Sequence, residues 1–163
     1  MTSSTDRIEK QVLLRASRQR VWRALTQSAE FGTWFGMQLE GDFLPNTTVS
    51  GRMVPTRVDP DVAAQQRPFE GMPVELFIER VEPMRLFSFR WHPYPVEGDT
   101  SQVPTTLVTF ELDEAEGGTL LRLSESGFDQ IPIERRAEAF SGNEEGWEIQ
   151  TRLIGKYLAE GHA

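Results

Sequence analysis

The chain has 163 residues, a formal net charge of -8 and no cysteine. Its length suits one domain, 1–163, and a domain of this size can bury a substantial core. The acidic balance argues against nucleic acid or an anionic membrane as a partner, and the lack of cysteine excludes disulfides and thiol chemistry. No apolar run approaches the roughly 20 residues of a membrane helix, and residues 1–6 lack the apolar core of a signal peptide, so we expect a cytoplasmic protein.

A strand and two short helices are predicted at the start of the chain. Apolar and polar residues alternate over residues 8–15, which is typical of a strand with one protected face. Ser17 is the expected N-cap of the first helix, and its arginines, among them Arg20 and Arg23, are interpreted as a solvated face. The segment Glu30-Phe31-Gly32-Thr33-Trp34-Phe35-Gly36 follows and ends in an aromatic pair.

Three hairpins are predicted next, which together with the first strand make a sheet of about seven strands. They join 37–44 to 48–55, 72–82 to 85–91, and 105–112 to the strand that holds Leu121 and Leu123. Residues 56–71 form a long connection with one short helical turn, which is either a lid over a cavity mouth or a surface loop. Residues 92–100 are rich in turn formers and separate the last two hairpins.

The residue pattern in the last third of the chain predicts α-helix. Residues 133–139 can form a helical turn or two, and Ser141-Gly142-Asn143 is expected to interrupt them. Residues 144–160 then form a long terminal helix with Asn143 as its N-cap and Gly161 after its end. Because the apolar residues of this helix occupy one arc, the helix must cover the sheet. A curved antiparallel sheet around one long helix is an α+β helix-grip fold.

Four segments in this order resemble a known family. They are 16–26 with 30–36, then 78–91, then 107–112 with Gly117-Gly118-Thr119, and finally Ser126-Gly127-Phe128 with Gly146-Trp147. The sequence is similar to the domain found in activators of the Hsp90 ATPase, a branch of the START-like (SRPBCC) helix-grip superfamily. The resemblance implies a cavity between the sheet and the terminal helix. It also implies that Trp34, Phe89, Trp91 and Trp147 line that cavity.

The candidate ligand-binding residues are mostly aromatic. They are Trp34, Phe35, Met53, Phe89, Trp91, Phe110, Phe128, Trp147 and Gln150. Rigid rings between a bent sheet and one helix either fill the gap or line the space left open. Gln150 is a polar residue near the middle of the apolar arc, where an unpaired amide costs about 1 to 3 kcal/mol. Its partner is either a sheet side chain or trapped water, or a polar group of a ligand.

No catalytic residue, metal ligand or cofactor is assigned from the sequence. His92 is a lone histidine at a strand end, and no other histidine lies at a metal-ligand spacing from it. General acid–base chemistry by a buried carboxylate stays open. Four glutamates lie on predicted strands, and any that points into an apolar cavity has its pKa raised: Glu75, Glu79, Glu111 and Glu125.

Three functions are compatible with these features. The first is a non-catalytic protein, monomer or homodimer, that binds a small apolar or aromatic molecule. The resemblance also implies two alternatives, an aromatase/cyclase of polyketide assembly and an activator that contacts an Hsp90-type chaperone. For the chaperone activator, the chain departs from the eukaryotic pattern of the family, since 163 residues leave no room for a separate chaperone-binding domain.

Overall fold

The computed structural model describes residues 7–93 and 103–160. They form one seven-stranded antiparallel sheet in the order β1-β7-β6-β5-β4-β3-β2. The strands are β1 Arg7–Leu14, β2 Met37–Glu40, β3 Thr47–Met53, β4 Pro73–Glu82, β5 Leu86–Trp91, β6 Thr106–Ala115 and β7 Gly118–Ser126. The helices are α1 Arg18–Thr26, α2 Ser28–Phe35, α3 Pro60–Gln66 and α4 Ile133–Ala159, with short 3-10 turns at Arg67–Phe69 and Phe128–Gln130. The predicted α+β helix-grip class is confirmed.

The core lies between one face of the sheet and α4. Every second residue of the central strands is buried there, as the two-residue period of a strand requires. These residues include Phe87, Phe89, Val108, Phe110, Leu121 and Leu123. From α4, Trp147, Leu153, Ile154 and Tyr157 are buried against them. The predicted arc of the terminal helix therefore covers the sheet.

The two short helices after β1 are held by local caps and one ion cluster. The Ser17 hydroxyl accepts a hydrogen bond from the backbone N–H of Arg20 at 3.1 Å, which confirms the predicted N-cap. Glu30 of α2 accepts a hydrogen bond from Arg20 at 2.8 Å and forms an ion pair with Arg23 at 2.8 Å. The interpretation of these arginines as a solvated face is wrong for Arg20, whose side chain is only 17% exposed. The pairing with Glu30, ten residues along the chain, draws it inward.

The terminal helix is longer than the sequence predicts. α4 begins at Ile133, follows Pro132 and runs without interruption through Ser141-Gly142-Asn143. Asn143 is therefore not an N-cap, and the predicted break is wrong. Tertiary contacts override the weak helix propensity of this triplet. The Phe140 ring packs edge-on against Phe128 at 5.2 Å, and the Asn143 side chain donates a hydrogen bond to Glu125 of the sheet. Gly161, expected to end the helix, lies outside the described residues.

The connection between β3 and β4 is a helix packed on the rest of the protein. Asp59 caps α3 by accepting from the backbone N–H groups of Asp61 and Val62. Lys156 of α4 contacts the same carboxylate at 3.4 Å. The predicted helical turn is confirmed, while its role as a lid stays a prediction. Of the predicted loop 92–100, residues 94–100 lie outside the described residues.

Candidate functional site

A carboxylate lies at the centre of the best-defined polar cluster in the core. Glu125 has the same side-chain direction as Leu121 and Leu123 on β7, because residues two apart share a face. Trp91 of β5 and Thr106 of β6 are opposite each other in the sheet and reach the same place. One helical turn of α4 brings Asn143 and Trp147 over it, since residues four apart share a helix face. Glu125 is fully buried.

Among the described residues, four side chains donate hydrogen bonds to Glu125. The indole Nε1 of Trp147 reaches Oε1 at 2.8 Å, and that of Trp91 reaches Oε2 at 2.8 Å. The Thr106 hydroxyl donates to Oε2 at 2.5 Å. The Asn143 amide bridges the two oxygens, at 3.0 and 2.9 Å. A carboxylate offers about four lone-pair positions, so these donors fill it.

Burial decides the acidity of this carboxyl. Desolvation raises the pKa of Glu125 above 4.5, and the bonds from Thr106, Trp91, Trp147 and Asn143 oppose that rise without cancelling it. No arginine or lysine of the described residues pairs with it. The site therefore holds a proton more readily than an ordinary glutamate does.

Aromatic rings from four elements make a wall beside this carboxylate, and we call them the ring cluster. Its members are Phe35 of α2, Phe89 and Trp91 of β5, Phe110 of β6 and Trp147 of α4. Trp91 stacks on Trp147 with centroids 5.7 Å apart, and Phe35 meets both indoles edge-on at 5.8 and 5.7 Å. Phe89 and Phe110 close the sheet side, at 5.4 Å from Trp91 and 5.9 Å from Trp147. Such pairs prefer edge-on or offset contact, so each ring fixes the orientation of the next.

Two glutamine amides meet at the end of α2 next to this wall. The backbone carbonyl of Phe35 accepts from Nε2 of Gln66 at 3.1 Å and from Nε2 of Gln150 at 3.0 Å. Oε1 of Gln66 in turn accepts from the backbone N–H of Thr56 at 2.7 Å. Oε1 of Gln150 is buried and has no hydrogen-bond partner among the described residues. This part of the site thus contains one acceptor that no described residue satisfies.

The structure brings together six of the nine predicted ligand-binding residues: the five rings of the cluster and Gln150. The other three lie around this group. Trp34 packs on Phe35 and donates its indole N–H to the carbonyl of Ala24 at 2.9 Å. Met53 lies opposite Met37 in the β2–β3 ladder. Phe128 packs on the beginning of α4 instead.

Sequence reasoning named Glu125 only as one of four glutamates and missed two of its partners. The sequence predicts Asn143 as an N-cap and places Thr106 only within a strand, whereas both donate hydrogen bonds to Glu125. Of the other glutamates, Glu79 pairs with Arg90 at 2.8 Å and Glu111 is exposed. His92 lies edge-on against the ring of Phe77. The sequence does contain a signal for the burial of Glu125, because this residue continues the alternating pattern of Leu121 and Leu123.

Two surface recesses lie away from the ring cluster. One, of about 320 Å³, is lined by β1, β6 and β7 residues such as Arg7, Gln11 and Arg122. The other, of about 510 Å³, lies beside α2 and β2 and includes Thr33 and Leu39. In the described ranges no group of three or more His, Cys, Asp or Glu is placed to hold a metal ion. None of the described helices combines the length and apolar character needed to cross a membrane.

Comparison with known proteins gives the family. A family model described as activator of Hsp90 ATPase homolog 1-like protein matches residues 15–159. The chain belongs to this AHSA1-like family. No curated protein gives a significant match. The site built from Glu125 and the ring cluster therefore lies within the part of the chain that the family model covers.

Solved structures share the fold of this AHSA1-like chain at low sequence identity. A protein of Mesorhizobium loti is 20% identical with a TM-score of 0.71, covering 96% of this chain and 99% of that one. The Aha1 dimer from Colwellia psychrerythraea is 13% identical with a TM-score of 0.66, covering 96% and 98%. A protein from the dynemicin biosynthetic locus is 19% identical with a TM-score of 0.66, and this chain spans 96% of its own length but 48% of that chain.

Proposed function

We propose that this AHSA1-like protein is a non-catalytic receptor for a small apolar or aromatic molecule, which it takes between the sheet and α4 at the ring cluster. The observation that carries the proposal is a cluster of five touching rings from four elements, two of which, Trp91 and Trp147, donate hydrogen bonds to one buried carboxylate. A core built only for stability gains little from a buried carboxyl group without a cationic partner, because a carboxylate costs several kcal/mol to desolvate. The fold supports a ligand-binding or polyketide cyclase-like protein.

Ring displacement makes room for the ligand. The rings touch one another, and each ring pair contributes about 0.5–1.5 kcal/mol beyond its buried area. Burying a flat ligand of about 150–250 Å² at about 25 cal/mol per Å² gives roughly 4–6 kcal/mol, which exceeds the loss of two such pairs. Trp91 and Gln150 are partly exposed, whereas Phe35 and Trp147 are buried. Entry is therefore expected beside Trp91.

Binding of a neutral aromatic reporter tests the proposal. N-phenyl-1-naphthylamine is titrated into the full chain, and its fluorescence is expected to rise to saturation at one molecule per chain. Trp147→Leu should weaken binding at least tenfold, because this ring contacts three others of the cluster. Trp22→Leu is the matched control, since Trp22 is an indole on α1 outside the cluster. Non-saturable binding, or equal weakening in both variants, contradicts the receptor.

Glu125 favours a second candidate function, an enzyme of the aromatase/cyclase type. A buried carboxyl with a raised pKa is suited to moving a proton next to a substrate carbonyl. This candidate predicts that a poly-keto thioester is converted to a cyclised product, and that Glu125→Gln abolishes the conversion while binding survives. Binding of the thioester without turnover excludes the cyclase and leaves the receptor.

The family description supports a third candidate, contact with an Hsp90-type chaperone. Titration of a purified chaperone of this type tests it directly. A complex together with a faster chaperone ATPase supports activation. The absence of both excludes it, and neither result depends on the ring cluster.

A further inference from the structure

The contacts of the described residues leave one oxygen of Gln150, at the edge of the site, without a hydrogen-bond partner. Gln66 and Gln150 form a matched pair, because both donate to the carbonyl of Phe35. Gln66 is satisfied at both ends of its amide by that carbonyl and by the Thr56 backbone N–H. Gln150 has a bond on its nitrogen only, and its Oε1 is buried without a partner among the described residues.

The orientation of the Gln150 amide follows from its partner. A backbone carbonyl is an acceptor only, so the group that faces it must be the amide nitrogen. Oε1 is thereby directed elsewhere, and a flip of the amide would place two acceptors against each other. Gln150 lies one turn along α4 from Trp147, and the residue whose carbonyl it binds contributes a ring to the cluster. The Gln150 amide, which carries the free acceptor, thus lies at the border of the ring cluster.

We propose that Gln150 Oε1 selects ligands that carry a hydrogen-bond donor, so that the preferred ligand class is a flat aromatic molecule with a hydroxyl or N–H group. This inference rests on the proposed receptor function and adds the polar part of the ligand. Glu125 does not serve as the acceptor, because the Trp91, Trp147, Thr106 and Asn143 donors already fill its oxygens. Its role is to fix the two indoles that the ligand contacts.

The expected effect is large enough to measure. Pairing an acceptor that is otherwise buried and unsatisfied corresponds to about tenfold in affinity. The probes are 2-naphthol, which has a donor, and 2-methoxynaphthalene, which has the same rings and no donor. Binding of each to the full chain is measured by calorimetry near neutral pH. Wild-type protein should bind 2-naphthol about tenfold more tightly.

Gln150→Leu removes the acceptor at nearly constant volume. In this variant the affinity for 2-naphthol should fall to that for 2-methoxynaphthalene, whose own affinity stays unchanged. Thr151→Val is the matched control, because it removes a polar group from the next position of α4 whose hydroxyl bonds within the helix, to the Glu148 carbonyl at 3.0 Å. It should keep the tenfold preference.

The outcomes separate this inference from the receptor proposal. If both probes bind wild type equally, the acceptor is satisfied by water and the inference fails while the receptor stands. A preference that persists in Gln150→Leu overturns the inference, because the methyl group rather than the missing donor then causes the difference. If neither probe binds any of the three proteins, the receptor proposal fails and the inference fails with it.

Discussion

Replacement of Glu125 by glutamine is the perturbation that discriminates best between a buried acid and an ordinary core residue. The two side chains have the same shape, but the amide brings two N–H groups into a ring of donors. Thr106 can accept one of these hydrogens, whereas the indole of Trp91 cannot accept the other. One lost bond and one unsatisfied donor correspond to about 1–3 kcal/mol of unfolding free energy.

The cost of Glu125→Gln is expected to depend on pH in a definite direction. Because burial raises the pKa of Glu125 above 4.5, the folded protein holds this proton more tightly than the unfolded chain does. The stability that the carboxyl contributes is fully present below pH 4.5 and is lost as the pH rises through the folded pKa. Each unit of pKa difference is worth about 1.4 kcal/mol. The wild type should therefore lose its advantage over the variant as the pH increases.

Urea unfolding followed by tryptophan fluorescence, at a series of pH values from acidic to mildly alkaline, measures this difference. Asp59 and Glu148 have lowered pKa values and give both proteins the opposite pH dependence, which cancels when the variant is subtracted from the wild type. A stability difference that stays constant, or that widens toward alkaline pH, would refute the reasoning. A constant difference would mean that the four donors balance the desolvation of Glu125, and a widening one that they outweigh it.

Three further predictions follow from the same contacts. Gln66→Leu should destabilise the protein by about 1–2 kcal/mol more than Gln150→Leu in urea unfolding, because only the former leaves the Thr56 backbone N–H without its partner; equal effects would contradict this. Gly142→Ala should raise the unfolding free energy by about 0.5–1 kcal/mol, since an added Cβ meets open space within a continuous helix; destabilisation would indicate a break there. Trp147→Phe should lower the unfolding free energy by about 2 kcal/mol and, by removing the indole bond, raise the pKa of Glu125 further. A pH titration followed by fluorescence should then have its midpoint at higher pH, and an unshifted midpoint would exclude the indole bond.

Much of the fold is predictable from local pattern, because alternation and turn residues are properties of neighbouring positions. The hairpins and the N-cap at Ser17 are examples. The continuity of α4 through Asn143 is not, since the triplet has weak helix propensity and its support comes from Phe128 and the sheet. Local pattern fails in the same way for Arg20, which a distant glutamate draws inward.

The candidate site is only half predictable, for a related reason. The alternation of side chains along β7 places Glu125 on the core face. The rings of the cluster can be recognised in the sequence as bulky residues on predicted strands and helices. On β4 the alternation fails just after Glu79, because the β4–β5 register shifts between Ile78 and Arg80, and Arg80 is exposed although Leu76 and Ile78 are buried. Which donors meet the carboxylate depends on three strands and one helix, Asn143 included, that are distant in sequence. The unpaired oxygen of Gln150 likewise depends on where α2 ends.

The most direct measurement of the central claim is a titration of 2-naphthol into ¹⁵N-labelled protein, followed by the indole N–H signals of the four tryptophans. The account predicts that the Trp91 and Trp147 signals shift together to saturation with one dissociation constant. The Trp22 signal, from outside the ring cluster, should stay in place. Saturable binding that moves Trp22 and leaves the other two unchanged would contradict a ligand site between the sheet and α4.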